Sequence, residues 1–368
     1  MGFLTRLFSR AGDPGHRHSA EDLAALDVTA PGWRAIDRTF DRLHDSKPMH
    51  WGTVVRWRTG GPDPLDGISA YRADEPPHWH YVSYGLSELY AKESDDAELS
   101  GWGFELTFRL ARDPAAAEAP IWAAGMLQNL ARYVFESGNV LSPGDHMDLH
   151  GPIGPTSGTA IRAVLFAADA QVEPIDTPNG RIAFVQVVGV TIDEYEAACD
   201  WSSDPMLDLL AEANPLLVTN LARPSILGST EVREAVRAGI ERDGSAVGGI
   251  QVDELDVAAD DSRLTIRFGA LGLQRVLRLA TGRLSHDRSF WVRGPAAAVA
   301  IQRGEGLAWH QADDALHLTL DDPTITRLLS ELRPVAGHYE LDDAGRLAID
   351  VVPTIIRDQH DREIDRIG

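Results

Sequence analysis

The chain has a single cysteine, Cys199, so no internal disulfide holds it together and its fold does not rely on an oxidising compartment. It has no membrane-spanning apolar run. Its start, MGFLTRLFSRAG, lacks the apolar stretch and cleavage site of a secretory signal. Residues 1–28 read as a frayed tail, because one or two turns of helix are marginal in water, and the protein reads as cytoplasmic. Basic residues are scarce: 34 Lys and Arg stand against 56 Asp and Glu, a net charge of −22. A nucleic-acid footprint needs clustered cations, so this balance argues against phosphate-backbone binding. Catalytic signatures are missing as well. There is no phosphate-cradling G-x-x-x-x-G-K-[ST] and no G-x-S-x-G elbow. Gly101-Trp102-Gly103 begins like a dinucleotide loop, but no third glycine or helix follows it. Cys199 lies on a predicted helix with no base spaced to activate it, and reads as a small hydrophobe.

What is present fits a two-domain globular protein: 368 residues, 43% of them hydrophobic. The most informative stretch is 101–150. Trp102, Phe104, Leu106, Phe108 and Leu110 alternate with Gly103, Glu105, Thr107 and Arg109, which predicts a strand with an aromatic face and a polar face. After Pro120, the residues Trp122, Met126, Leu130 and Tyr133 recur at helical spacing. Ser137-Gly138-Asn139 ends that helix. Pro143-Gly144 then turns the chain and presents Asp145 at a loop tip.

Residues 31–43 outline a first helix, and 53–58, 79–86, 160–167, 181–190 and 216–221 read as strands, with two short helices near 191–213. Strands mixed with helices argue an amino-terminal α/β sandwich domain over 29–222. The Pro-, Gly- and Ser-containing stretch 222–230 reads as a transition. A smaller α+β domain over 230–355 follows, then a charged tail over 356–368.

Histidines are the nearest thing to a reactive cluster. His78 and His80 form H-x-H, and His146 and His150 flank the Asp145 loop. Neutral imidazoles suit zinc, so a metal-dependent enzyme using this region is one reading. The other is that His80 packs in the sheet and the loop histidines satisfy local backbone groups; ligand spacing tighter than this is usual, and no metal is assigned. The pairs Asp260-Asp261, Asp313-Asp314 and Asp321-Asp322 read as solvated turns. Asp145 stands alone in its turn, where it either closes that turn or meets a ligand.

The strings FELTFRL and LARYVFESGNVLSPGDHMDLHGPI resemble the amino-terminal domain of Suppressor of fused, the binding protein of animal Hedgehog signalling that also has bacterial relatives. GGPDPLD at 60–66, HWHYVSYGLSELY at 78–90 and RIAFVQVVGVT at 181–191 are similar too. A looser likeness continues through GIERDGS and LATGRLSHDRSFWV, so the resemblance spans roughly 31–355. It implies two domains with a cleft between them, no cofactor, and no catalytic residues. It also implies capture of an extended partner peptide in that cleft by β-strand addition. In the animal family the partner is a Gli transcription factor. The resemblance makes Asp145 the contact to a peptide histidine and Tyr133 a groove residue, with Leu141 where the animal sequence has an aromatic, and His146 beside them.

Two departures bear on the partner. The composition looks bacterial, where no Gli factor exists, and a short connection, Val257 to Leu264, replaces the long acidic insertion of the animal second domain. A protein-binding, sequestering module with a different protein or peptide partner is the leading reading. An immunity protein neutralising a bacterial toxin is the alternative, since the negative charge suits a basic toxin. Ser83-Tyr84-Gly85-Leu86 is similar to the core of the animal ligand peptide; it falls inside the family's own strand motif and reads as coincidence.

Overall fold

The computed structural model describes residues 30–53, 55, 57, 60–155, 158–260, 262–357 and 362–368. The expected tail at 1–28 lies outside them. The Cα positions fall into two compact units. One holds the described residues to Tyr195 together with Ser203–Ser229, and the other holds Glu196–Ser202 with Thr230–Gly368.

The first unit runs α1 (Pro31–Leu43), β1 (Met49–Gly52), β2 (Gly67–Asp74), β3 (Pro77–Tyr84), β4 (Leu99–Ala111), α2 (Ile121–Ser137), β5 (His146–Asp148), β6 (Ile161–Ala168), β7 (Ile175–Thr177) and β8 (Gly180–Thr191). Helices α3 (Ile192–Asp200) and α4 (Ser203–Ala213) come next; α3 crosses from the first unit to the second at Glu196. The strands form one sheet in the order β1-β2-β3-β4-β8-β6-β5, with β7 also on β8. Only β4 and β8 pair in parallel, within an otherwise antiparallel ladder.

Both faces of this sheet are covered, which is why β4 is buried from Phe104 to Leu110 on its polar as well as its apolar side. Leu106, Phe108 and Leu110 meet Met126, Leu127 and Leu130 of α2 in one core. Trp33, Ile36 and Phe40 of α1 meet Tyr71, Val82, Tyr84 and Phe184 in another. Tyr84 is fully buried and stacks on Trp33 at 4.4 Å, so the Ser83–Leu86 string belongs to the core.

Several strands differ from the reading of the sequence. The strand expected over 53–58 falls partly outside the described residues; Val55 and Trp57 are not in a strand, and the strand is β1 just before them. The strand expected over 216–221 is a single bridge, Thr219 to Leu110. Leu217 sits at φ 51 and the Asn214 side chain takes both the N–H and the C=O of Val218, which curls the segment into a turn. Gly101-Trp102-Gly103 marks a bulge, where the β4–β8 register shifts between Leu99 and Phe104.

The second unit adds α5 (Thr230–Asp243), β9 (Gly249–Gln251), β10 (Leu255–Ala259), β11 (Leu264–Gly269), α6 (Ala270–Leu284), β12 (Phe290–Arg293), β13 (Ala298–Arg303), β14 (Ala308–Ala312), β15 (Ala315–Leu320), α7 (Asp322–Ser330), β16 (Gly337–Glu340) and β17 (Leu347–Val352). Its sheets run β10-β11-β17-β16 and β14-β15-β13-β12-β9, and share one core built from residues such as Phe268, Leu273, Phe290 and Ile349. The stretch expected as a charged tail forms a ribbon of β18 (Thr354–Arg357) and β19 (Glu363–Ile367). Of the acidic pairs, Asp260 caps Ser262 and Arg263, its neighbour Asp261 lying outside the described residues; Asp313-Asp314 forms the hairpin turn; and Asp321 caps α7 through Thr324 N while Asp322 is the first residue of that helix rather than part of a turn.

Glu196–Ser202 clusters with the second unit through Trp201. Its Nε1 donates to Asp243 Oδ2 at 2.8 Å, and its ring lies against Gly239 of α5. A Cβ at Gly239 would fall 2.2 Å from Trp201 Cζ2. Glycine to alanine inside a helix ordinarily stabilises by about 1 kcal/mol. Here Gly239→Ala is predicted to destabilise by about 1–3 kcal/mol, because the indole must be displaced. Urea unfolding of the purified variant checks the sign; a gain in stability would show that the indole is not seated there.

Candidate functional site

The expected site begins at the turn Ser142-Pro143-Gly144-Asp145. Asp145 N donates to Ser142 O at 3.0 Å, and Gly144, at φ 94, takes the left-handed position that such a turn reserves for glycine. Asp145 Oδ2 accepts from Ser142 N at 2.7 Å, so this exposed carboxylate closes its own turn and still faces solvent.

The chain leaves the turn directly into β5, the last strand of the sheet. Leu149 N donates to Arg162 O, and Met147 pairs with Val164 two residues earlier. That alternation directs the backbone N–H and C=O groups of His146 and Asp148 away from β6, toward the open edge. Asp145 thus stands at the head of a short strand at the edge of the sheet.

The neighbouring residues play different parts. His146 is half-buried, edge-on to Tyr195 with ring centroids 5.5 Å apart, and its Nδ1 lies 3.5 Å from Ser203 Oγ. Tyr133 is half-buried on α2, where its hydroxyl accepts from Asn139 Nδ2 at 2.9 Å; among the described residues no hydrogen bond joins it to the Asp145 turn. Leu141 is 5% exposed and sits in the core under α2, so it shapes the turn from beneath and is no surface contact. The geometry therefore groups Asp145 with His146 and the β5 edge, and sets Leu141 below them.

The four conspicuous histidines do not converge. His78 and His80 lie inside β3, 1% and 0% exposed, whereas His150 is exposed and ties back to Asp148. Among the described residues no group of three or more His, Cys, Asp or Glu is placed to hold a metal ion.

His80 instead belongs to a buried polar network on the α1 side of the sheet. Arg109, fully buried, donates to both oxygens of Asp169, at 2.9 and 2.8 Å, and to Gln186 Oε1. Thr107 Oγ1 donates to Asp169 Oδ2 at 2.7 Å. His80 Nε2 lies 3.2 Å from the same oxygen, and His80 Nδ1 lies 3.0 Å from His44 Nε2. An ionised carboxylate only accepts, so His80 carries its proton on Nε2 and accepts from His44 on Nδ1. Burial, then the Arg109 guanidinium, pushes His80 down to about 3. Burial, then His78 and Arg109, pushes His44 down to about 4. For Asp169 burial acts upward, but the His80 hydrogen bond and Arg109 outweigh it and hold the carboxyl well below the usual range. The period-two pattern placed Arg109 and Thr107 on the polar face of β4; nothing in it signalled Asp169, 60 residues away from Arg109.

Two more carboxylates pin the long β3–β4 connection. Glu105 is fully buried; its Oε1 accepts from Gly85 N, Ser87 N and Ser87 Oγ, and its Oε2 lies 2.5 Å from Ser83 Oγ. Burial outweighs those hydrogen bonds and pushes it up to about 7. Glu88 accepts from Glu93 N, Ser94 N and Lys92 Nζ, and these bonds overcome burial to bring it down to about 2. Both acids hold backbone in place.

Comparison with known proteins agrees with this architecture. A family model described as Suppressor of fused protein matches residues 61–224. The Suppressor of fused homologs of Homo sapiens and Mus musculus are each 38% identical over 238 residues, 60% of this chain and 49% of theirs. The chain thus spans about half the length of the curated relatives it matches. The crystal structure of Drosophila Suppressor of Fused, 23% identical, superposes with a TM-score of 0.74 over 88% of this chain and 97% of that one, which establishes the fold. A chain of a Sufu–Fu complex crystal structure is 32% identical, with a TM-score of 0.52 over 57% of this chain and 97% of that one. With this family model, this identity and this fold together, the chain belongs to the Suppressor of fused family.

Proposed function

We propose that this protein is a non-catalytic binding module that sequesters a partner protein by pairing an extended segment of it with the open edge of β5, beside Asp145. The observation that carries the reading is the juxtaposition of a loop-tip carboxylate with an edge strand whose His146 and Asp148 backbone groups point outward. Main-chain pairing supplies affinity, and the carboxylate selects a cationic or imidazole side chain on the incoming strand. A solved relative crystallised as a Sufu–Fu complex supports a protein partner. The net charge of −22 favours a basic partner, which keeps a toxin-neutralising role as the second form of the same reading.

Because Asp145 also closes its turn, charge and geometry must be tested separately. Asp145→Asn keeps an acceptor for Ser142 N and removes the charge, whereas Asp145→Arg removes both. Peptides selected from a random library against the purified chain provide the probe, measured by calorimetric titration beside thermal melts. The expected result is binding weakened at least about tenfold in Asp145→Asn, a loss of ~1.4 kcal/mol, with an unchanged melting temperature, and abolished in Asp145→Arg. Backbone N-methylation at alternate peptide positions is expected to abolish binding too. Selected peptides that bind Asp145→Arg as tightly as wild type would overturn the assignment.

A further inference from the structure

Strands β14 and β15 are joined by the two residues Asp313 and Asp314, with Asp313 at φ 49, the left-handed conformation that tight hairpins require. That turn fixes the register, and the register sets His310 directly opposite His317. Their rings stack with centroids 5.1 Å apart and planes 19° apart. The next strands continue the row: His317 is level with Ala300, and Ala300 with Trp291. The Trp291 indole meets the His317 ring edge-on at 5.6 Å. His310 is exposed and Trp291 is 42% exposed, so the row faces solvent. Among the described residues neither imidazole makes a hydrogen bond.

We propose that His310 and His317 together bind one divalent transition-metal ion, copper(II) in preference to zinc, on the outer face of the β14-β15-β13-β12-β9 sheet. Directly opposed strand residues hold their Cβ atoms about 5 Å apart. Side-chain torsions then bring one nitrogen of each ring to the ~2.0 Å that a metal–imidazole bond needs. Imidazole suits copper, nickel and zinc, and copper(II) stands highest of these in affinity for a given nitrogen site. The small side chain of Ala300 leaves room beside the pair, and water completes the coordination because His310 is open to solvent. The site is chelating and lies outside the core, so the fold does not depend on it. It is independent of the strand-addition reading, which concerns the other unit.

The test is titration of the purified full chain with copper(II) alone and with zinc(II) alone, in wild type, His310→Ala and His317→Ala. Losing either ring turns a two-point attachment into a one-point one, so copper affinity at this site is expected to fall by roughly 100-fold in each variant. Melting temperatures without metal should match wild type. Nitrogen hyperfine structure in the copper spectrum should report two imidazoles at this site in wild type and no more than one in each variant. Trp291→Phe provides a readout of place: copper should still bind, while the part of the tryptophan quenching due to Trp291 disappears. Unchanged copper stoichiometry and affinity in both histidine variants would overturn the proposal. So would quenching that Trp291→Phe leaves intact.

Discussion

Replacing Asp169 by alanine is expected to unfold the first unit more readily than any other single change to a polar side chain there. Asp169 neutralises Arg109, and the side chains of both are 0% exposed. Without the carboxylate, the guanidinium is left charged in the interior with Gln186 and Gln171 as its side-chain acceptors. Leaving one partner of a buried ion pair uncompensated costs about 3–5 kcal/mol. Thr107 Oγ1 and His80 Nε2 lose the same acceptor, and Gln171 N and Val172 N lose Asp169 Oδ1. For a unit of this size the melting temperature should fall by roughly 10 °C. A double variant, Arg109→Met with Asp169→Leu, should recover much of the loss, because two apolar groups need no partner. Denaturant unfolding followed by circular dichroism decides it. A loss under about 1 kcal/mol for Asp169→Ala would mean that the pair is not desolvated as described.

Acidification is expected to have the second large effect, through His44 and His80. Both have folded values depressed below the ordinary 6.5, to about 4 and about 3. The unfolded chain therefore binds more protons between pH 6.5 and 4, and stability falls as the pH falls through that window. At 1.36 kcal/mol per pH unit, each histidine withdraws about 3 kcal/mol by pH 4 if it acts alone. Below that, the depressed Asp169 carboxyl adds to the loss, since its contribution is present above its unfolded value and disappears as it protonates. Glu105 works in the opposite direction. Its folded value is raised to about 7, so its contribution is full below 4.5 and is lost as the pH rises toward 7. Wild type should thus show a muted slope between pH 7 and 4.5, where the two effects oppose each other. Glu105→Gln removes the opposing part and should steepen the acid loss. His80→Gln should flatten it. Equilibrium unfolding across this pH range measures both slopes, and a variant pair with slopes identical to wild type would refute the assignment.

Patterns of short range were legible in the sequence because their cause is local. The alternation over 102–110, the stripe from Trp122 to Tyr133 and the Pro143-Gly144 turn each depend on backbone geometry within a few residues, and each appears where the pattern puts it. Strand β2 lacks that signal: GISAYRAD is buried through its first five residues because α1 covers one side of the sheet and the core beneath α2 the other. Strand β5 is three residues long, too short for any period, and exists because Met147 meets Val164 across the sheet edge. What Asp145 and Leu141 do was likewise undecidable from sequence spacing. Hydrogen bonding to Ser142 and burial under α2 assign one to the turn surface and the other to the core. The sequence by itself determined composition, charge, local elements and family. Tertiary structure alone decided that Arg109 meets Asp169, that His80 is locked between His44 and a carboxylate, and that His310 faces His317. These pairings depend on which strands become neighbours, a choice made by burial over the whole sheet.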